Sequence, residues 1–143
     1  SNTPHEVIEY TSGQDNFGAH AAEELGIAPH VVMKTLVIHH DRALAVCCVP
    51  VAGHLSLKAA AKALGWKRAE MTDPAEAQRA TGYVVGGISP LGTTRRMPTL
   101  IDDSVAAAPT IHVSGGQRGV SIAIAPKDLE ELTGATFAPI ATD

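Results

Sequence analysis

Apolar residues recur along this chain at two periods, alternate positions in some stretches and every third or fourth in others, and the changes of period mark its elements. Glu6 to Tyr10 reads as a short strand. Asp15-Asn16 offers a cap ahead of Phe17 to Leu25, where Ala21, Ala22 and Leu25 recur at helical spacing and Gly26 closes the helix. Val31 to His40 is apolar and rich in β-branched residues, Asp41-Arg42 is polar, and Ala43 to Val49 resumes the apolar character. Two such runs about a tight polar turn predict a β-hairpin, stopped by Pro50, which has no N–H for a ladder. Ser56 to Leu64 reads as a helix: Ser56 caps it, Leu57, Ala60, Ala61 and Leu64 form its stripe, and Gly65 ends it. Asp73-Pro74 places a cap before a first-turn proline and opens a short helix that ends near Gly82.

Beyond that point the elements shorten. Tyr83 to Ile88 has strand character broken by Gly86-Gly87, and Thr99–Ile101 and Ile111–Ser114 read as short strands. Gly115-Gly116 turns into Val120 to Ala125, where Val120, Ile122 and Ile124 alternate with smaller residues. Pro126 begins a last helix through Leu132, closed by Gly134. Strands interleave with helices, yet several are joined by hairpin-length turns. This predicts one α+β domain over residues 1–143, with a mixed, mainly antiparallel sheet and packed helices, rather than a doubly wound parallel sheet.

Composition narrows the function classes. With 143 residues and 45% hydrophobic content the chain can bury a core unaided. No apolar run reaches the 18 or so residues that span a bilayer. Cys47 and Cys48 are neighbours inside an apolar run, which argues against a disulfide framework and for a reducing compartment, the cytoplasm. The start is polar and acidic, unlike a signal peptide. Fifteen acidic residues outnumber eleven Lys and Arg, so any RNA must be met by a local patch rather than by bulk charge. Aromatic residues are too few for an array of base-stacking platforms.

Two features stand out as candidate chemistry. Lys34 lies in Val31-Val32-Met33-Lys34-Thr35-Leu36-Val37-Ile38, on the strand face of Leu36 and Ile38. It is either a strand-end lysine whose head reaches water or a cation directed into a pocket for an anionic or carbonyl-bearing substrate. Gly82-Tyr83-Val84-Val85-Gly86-Gly87-Ile88-Ser89-Pro90-Leu91-Gly92 holds four glycines and a proline. It is either a bend between strands or a cradle whose N–H groups hold an oxyanion or phosphate; it fits neither the Walker nor the Rossmann pattern. Gly115 to Gly119 is a weaker case and reads as a hairpin turn. Among the bases, Lys58 and Lys62 share a helix face, and Arg95-Arg96 follow the glycine loop; either pair can meet phosphates, with a solvated helix face the ordinary reading of Lys58 and Lys62 and more weight on Arg95-Arg96. The histidines lack metal-ligand spacing, with His39 and His40 on opposite strand faces. The cysteines read as inert packing, and Asp102-Asp103 as a turn or cap rather than an acid/base dyad. No protein nucleophile is evident.

Met33-Lys34-Thr35-Leu36, Pro50-Val51-Ala52-Gly53, Leu64-Gly65, Asp73-Pro74 and Thr81 through Gly92 together resemble the YbaK/EbsC-type aminoacyl-tRNA deacylases. Pro98-Thr99-Leu100-Ile101-Asp102 and Val113 through Gly119 continue the likeness in order. The family is related to the editing domain of prolyl-tRNA synthetase, and Asn16-Phe17-Gly18 with Gly86 to Gly92 looks most like its Cys-tRNA(Pro) deacylase branch. The resemblance implies an α+β fold and cleavage of the ester joining a wrong amino acid to the tRNA 3′ end, without cofactor or metal. It places the family's essential lysine at Lys34 and its Gly-x-x-x-Pro loop at Gly86 to Pro90, with Gly86 and Gly87 catalytic. It places substrate contacts at Tyr10, Phe17, Thr35, Ile88, Ser89, Pro90 and Ser114. In the cysteine branch the substrate thiol attacks its own carbonyl. The implied partners are the aminoacyl-tRNA acceptor end and, transiently, prolyl-tRNA synthetase, with neither membrane nor DNA. Relatives that remove alanine or another small residue, and a non-catalytic module binding tRNA ends, are the alternatives. Two departures stand out: a family helix ahead of His5 to Tyr10 is not seen, and Ser121 stands where the family's Gly-Leu-Asp pattern has its acid.

Overall fold

The computed structural model describes residues 5–9, 31–83, 90, 97–114 and 120–142, with backbone alone for 5–9, 120 and 121. Its strands are β1 (His5–Glu9), β2 (Met33–His40), β3 (Ala43–Pro50), β4 (His54–Leu55), β5 (Glu70–Met71), β6 (Thr99–Asp102), β7 (Ile111–Ser114), β8 (Val120–Ile124), β9 (Thr136–Ala138) and β10 (Ala141–Thr142). The described helices are α1 (Leu57–Leu64), α2 (Pro74–Thr81) and α3 (Pro126–Thr133), with a 3₁₀ turn at Asp103–Val105. The expected helix over 17–25 and the turn at 115–119 lie outside the described residues.

The predicted hairpin forms the centre. β2 and β3 pair antiparallel from Met33↔Pro50 to His40↔Ala43. Asp41 takes the tight turn with φ 52, a left-handed conformation that Asp tolerates. β5 lies antiparallel beside β2, while β6 and β9 add in parallel beyond β3, giving the order β5-β2-β3-β6-β9. A second sheet, β1-β8-β7, is antiparallel throughout. A parallel bridge between Val32 and His112 joins the two sheets. The architecture is α+β with a mixed sheet, as the interleaved pattern predicts.

The hairpin is buried on both faces. Leu36, Ile38, Ala45, Cys47 and Val49 face α1, where they meet Ala60, Ala61, Leu57 and Leu64. On the reverse face, Met33 and Cys48 pack with Ile101, Ile111, Val113, Ile124 and Leu129, and Val37, Leu44 and Val46 pack with Ala77, Ala80 and Met97. Each fully buried Ile or Leu stabilises by roughly 1.5–3 kcal/mol.

The helix ends follow local chemistry. The Ser56 side chain accepts from the Ala59 N–H, capping α1 as its position predicts. Gly65, at φ 74, closes α1, with its N–H on Lys62 and that of Trp66 on Ala61. Asp73 corrects its expectation: it occupies the cap position of α2, but its side chain makes no capping bond, and Pro74 sets the start instead. The short strands β4, β5, β9 and β10 were not expected from the pattern.

Asp102 ties the carboxy-terminal segment to the sheet. Its buried carboxylate accepts from the N–H groups of Ile140 and Ala141, at 3.0 and 2.9 Å, and from both the N–H and hydroxyl of Ser104. It therefore caps a turn, as its place after a strand predicts. Ile140 in turn accepts from the Ser56 N–H at 2.7 Å, and β10 pairs with β4 immediately before α1. Gly53 makes this approach possible, since a Cβ there would lie 2.5 Å from the Thr142 carbonyl oxygen. No helix among the described residues is long and apolar enough to cross a membrane.

Asp102→Ala is expected to lower stability by about 3 kcal/mol, because it strands buried N–H donors. Asp102→Asn, which keeps an acceptor, is expected to cost less. Urea unfolding of both variants checks the order; equal midpoints with the parent would remove Asp102 from this role.

Candidate active site

Lys34 sits where the sheet divides. One edge of β2 meets β7 through Val32 and meets β5 only from Ile38 onward. Among the described residues no strand pairs with Lys34, Thr35 or Leu36 on that edge. Val32 bridges His112 in parallel, so Lys34 and Ser114 each stand two residues beyond that one bridge, and Ser114 is paired with Ser121 across β7 and β8. Met33 and Val113 belong to one buried cluster, so strand alternation sends Lys34 and Ser114 to the opposite side together. Counted on from that bridge, positions 34, 114 and 121 form one row by register. Ser121, noticed in the sequence as a departure, gains a location by this register.

The Lys34 side chain is half-buried and has no ion-pair partner among the described residues. Burial holds its pKa below the ordinary lysine value. Val49, its partner across the hairpin, is fully buried in the apolar face that α1 covers.

Thr35 points to the other face. It is buried, with its hydroxyl 3.8 Å from the Cys48 sulfur. The Thr35 side chain thus lies on the opposite face of β2 from Lys34. Pro90 is buried. Tyr10, Phe17, Gly86, Gly87, Ile88, Ser89, Arg95 and Arg96 lie outside the described residues. The ends of the glycine-rich segment are placed, however. Tyr83 and Met97 pack in the same cluster with Val37 and Val46. Thr81 accepts from the Tyr83 N–H, and the Val46 N–H donates to Pro98. The segment therefore leaves from and returns to one patch of the hairpin.

Other candidates resolve simply. Cys47 and Cys48 are buried in β3, and burial pushes both thiols up to about 12. They are protonated and shielded at neutral pH, which agrees with the packing role read from the sequence. His39 and His40 do point apart: His39 lies 3.8 Å from Glu70, and the His40 ring stands 6.1 Å from that of Trp66. With Asp41, Arg68 and Glu70 they line an open cleft at the hairpin-turn end. Six residues of strand, about 20 Å, separate it from Lys34. Lys58 and Lys62 are exposed on α1.

Residues 16–132 match the aminoacyl-tRNA editing domain. The chain belongs to this family. It is 36% identical over 141 residues to EbsC of Enterococcus faecalis, provisionally named a Cys-tRNA(Pro)/Cys-tRNA(Cys) deacylase, covering 97% of this chain and 86% of that protein. It is 28% identical over 115 residues to YwhH of Bacillus subtilis, an uncharacterized protein, covering 79% of this chain and 72% of that one. A crystal structure provisionally described as a trans-editing enzyme for prolyl-tRNA synthetase superposes with a TM-score of 0.87 at 24% identity. It covers 97% of this chain and 87% of that one, and shows the shared fold. The editing-domain match spans β2, the glycine-rich segment, β7 and β8 together.

Two outcomes test the electrostatics. Desolvation favours neutral Lys34, so the unfolded chain holds this proton more tightly than the folded one. Its contribution to stability therefore rises with pH between the lowered native value and the ordinary lysine range. Lys34→Met is expected to leave the urea midpoint at pH 7 unchanged or raised, with the gap to the parent narrowing in alkali; a lowered midpoint would mean that the ammonium holds the fold. Iodoacetamide at pH 8 is expected to leave both cysteines unmodified in the native protein and to label both in denaturant, read by intact mass.

Proposed function

We propose that this protein deacylates mischarged tRNA, removing cysteine from tRNA(Pro) in trans. The observation that carries the reading is the half-buried Lys34, two residues past the bridge that joins the two sheets and inside the matched editing domain. The name carried by the Enterococcus relative supports cysteine as the amino acid.

The chemistry is the one the family resemblance implies, and the described residues agree with it. Neither cysteine can supply a thiolate, and the Thr35 hydroxyl is occupied with Cys48. The substrate's own thiol then serves as nucleophile. Its sulfur bonds to the ester carbonyl carbon, the bond from that carbon to the ribose oxygen breaks, and the oxygen leaves with the proton that the thiol gives up. The products are tRNA with a free 3′ end and a cyclic thiolactone, which water opens to cysteine. The protein's share is orientation and charge stabilisation. Lys34 holds the 3′ adenosine or the developing oxyanion, and Gly86 and Gly87 offer N–H groups to the carbonyl. Tyr10, Phe17, Ile88, Ser89, Pro90 and Ser114 shape the pocket. Prolyl-tRNA synthetase, in a transient complex, supplies the tRNA identity that so small an acidic chain does not read. This work belongs to the cytoplasm, where tRNA is charged.

The test is to incubate the protein with Cys-, Ala- and Pro-tRNA(Pro). Loss of the cysteine ester and sparing of proline are expected, with a fall of at least about a hundredfold in Lys34→Ala, the scale of losing one transition-state donor. Preferential loss of alanine would assign the protein to a sibling activity, and binding without cleavage to a tRNA-end module. S-methylation of the esterified cysteine is expected to stop release. Continued release that disappears in Ser114→Ala would replace the substrate thiol with a serine nucleophile.

A further inference from the structure

Charge is segregated along this chain. From Arg42 through Ala69 it carries Arg42, Lys58, Lys62, Lys67 and Arg68 and no Asp or Glu, although acids outnumber bases 15 to 11 overall. The other described helices are mixed or acidic: α2 has Glu76 with Arg79, and α3 has Asp128, Glu130 and Glu131 against Lys127. Within α1, by contrast, the first turn has no acid and the two charges are lysines.

The fold gives this segment a direction. β3 ends beside the start of β2, where the Val51 N–H donates to Val32, and α1 begins six residues later. At its other end Trp66 faces His40, near the hairpin turn. α1 therefore runs from the Lys34 end of the strand pair toward the opposite end, over about 12 Å. Its inner stripe is apolar, and Lys58 and Lys62 stand exposed one turn apart. Lys67 and Arg68, also exposed, continue past Gly65. The surface stops being purely basic where Arg68 comes within 3.9 Å of Glu70, beside Asp41, His39 and His40.

We propose that this face of α1 carries the double-helical stem of the RNA whose 3′ end lies at Lys34. The proposal rests on the function proposed above and adds the docking surface. A 3′ end seated at Lys34 has only a short single-stranded tail, so the duplex behind it must leave along an adjoining surface. Among the described helices, α1 alone carries only positive charge, which phosphates seek, and it starts from the strand end near Lys34. Lys58 and Lys62 meet the phosphates nearest the tail, Lys67 the next, and Arg68 marks the limit.

The experiment measures binding of an uncharged RNA hairpin, an acceptor stem with its 3′ tail, against the tail trinucleotide alone, by fluorescence anisotropy over a range of salt. The parent protein is expected to bind the hairpin more tightly, with affinity falling as salt rises. Lys58→Ala/Lys62→Ala is expected to weaken hairpin binding and to reduce the log–log salt slope by roughly one for each phosphate that is no longer neutralised, leaving tail binding unchanged. Lys67→Ala/Arg68→Ala is expected to do the same more weakly, and Lys127→Ala on α3 to do nothing. Parental hairpin affinity and slope in both pairs, or an equal loss in Lys127→Ala, overturns the proposal. So does an effect of the pairs confined to synthetase-stimulated cleavage, which would give this face to a protein partner. The two readings separate cleanly. Failure of the parent to cleave any ester, with the expected hairpin losses, sinks the catalytic reading alone; cleavage with unaltered hairpin binding in both pairs sinks this one alone.

Discussion

Burial of the β2–β3 pair on both of its faces sets the terms for the whole molecule. Ile38, Cys47 and Val49 fill one side and Val46 and Cys48 the other, all without exposure to solvent. Such a pair admits a charge only at its ends. Lys34 is the one Lys, Arg, Asp or Glu in these two strands, and it lies at the end where β7 has parted from β2 and β5 has not yet joined. An ammonium deep between packed layers would be neutralised or expelled; at a fork it keeps one side open. The same geometry that makes the position tolerable supports the proposed role, because a partly desolvated cation interacts more strongly with an incoming anion or carbonyl than one in water does.

Local pattern made much of the fold legible. The hairpin, the Ser56 cap and the Gly65 stop follow from neighbours within a few residues, and so does Asp102 as a turn-former. The two-residue strands β4, β5 and β10 are too short to show a period, and β9 has three residues. They exist because longer strands offer them partners. The second half of the role of Asp102, its hold on Ile140 and Ala141, spans 38 and 39 residues and has no local signature. Asp73 failed as a side-chain cap because proline at the first helical position already fixes the backbone there.

The candidate site was legible in part for the same reason. Lys34 is conspicuous as a charge in an apolar run, and its face follows from alternation alone. Its relation to Ser114 rests on a single parallel bridge between residues 80 apart, which no periodicity announces. Alternation also turns Thr35 away from Lys34, so adjacency in sequence is not adjacency of side chains. The inertness of Cys47 and Cys48 could be read from their apolar context, and burial supplies the cause. The proposed site, a cation with backbone and hydroxyl groups, is suited to orienting a substrate that carries its own nucleophile, and the proposed role of the α1 lysines extends that logic from the reacting end to the body of the RNA.

The central claim, that the row of residues 34, 114 and 121 receives the aminoacylated 3′ end, is tested most directly by mapping a non-hydrolysable ligand. Cysteine joined to the 3′ position of adenosine through an amide, titrated into isotope-labelled protein, is expected to shift the backbone amides of Lys34, Ser114 and Ser121 together, and to bind at least about tenfold more weakly to Lys34→Met, as loss of a charge-assisted hydrogen bond implies. Shifts confined to the cleft of His39, His40 and Glu70, with undiminished binding by the variant, would contradict it.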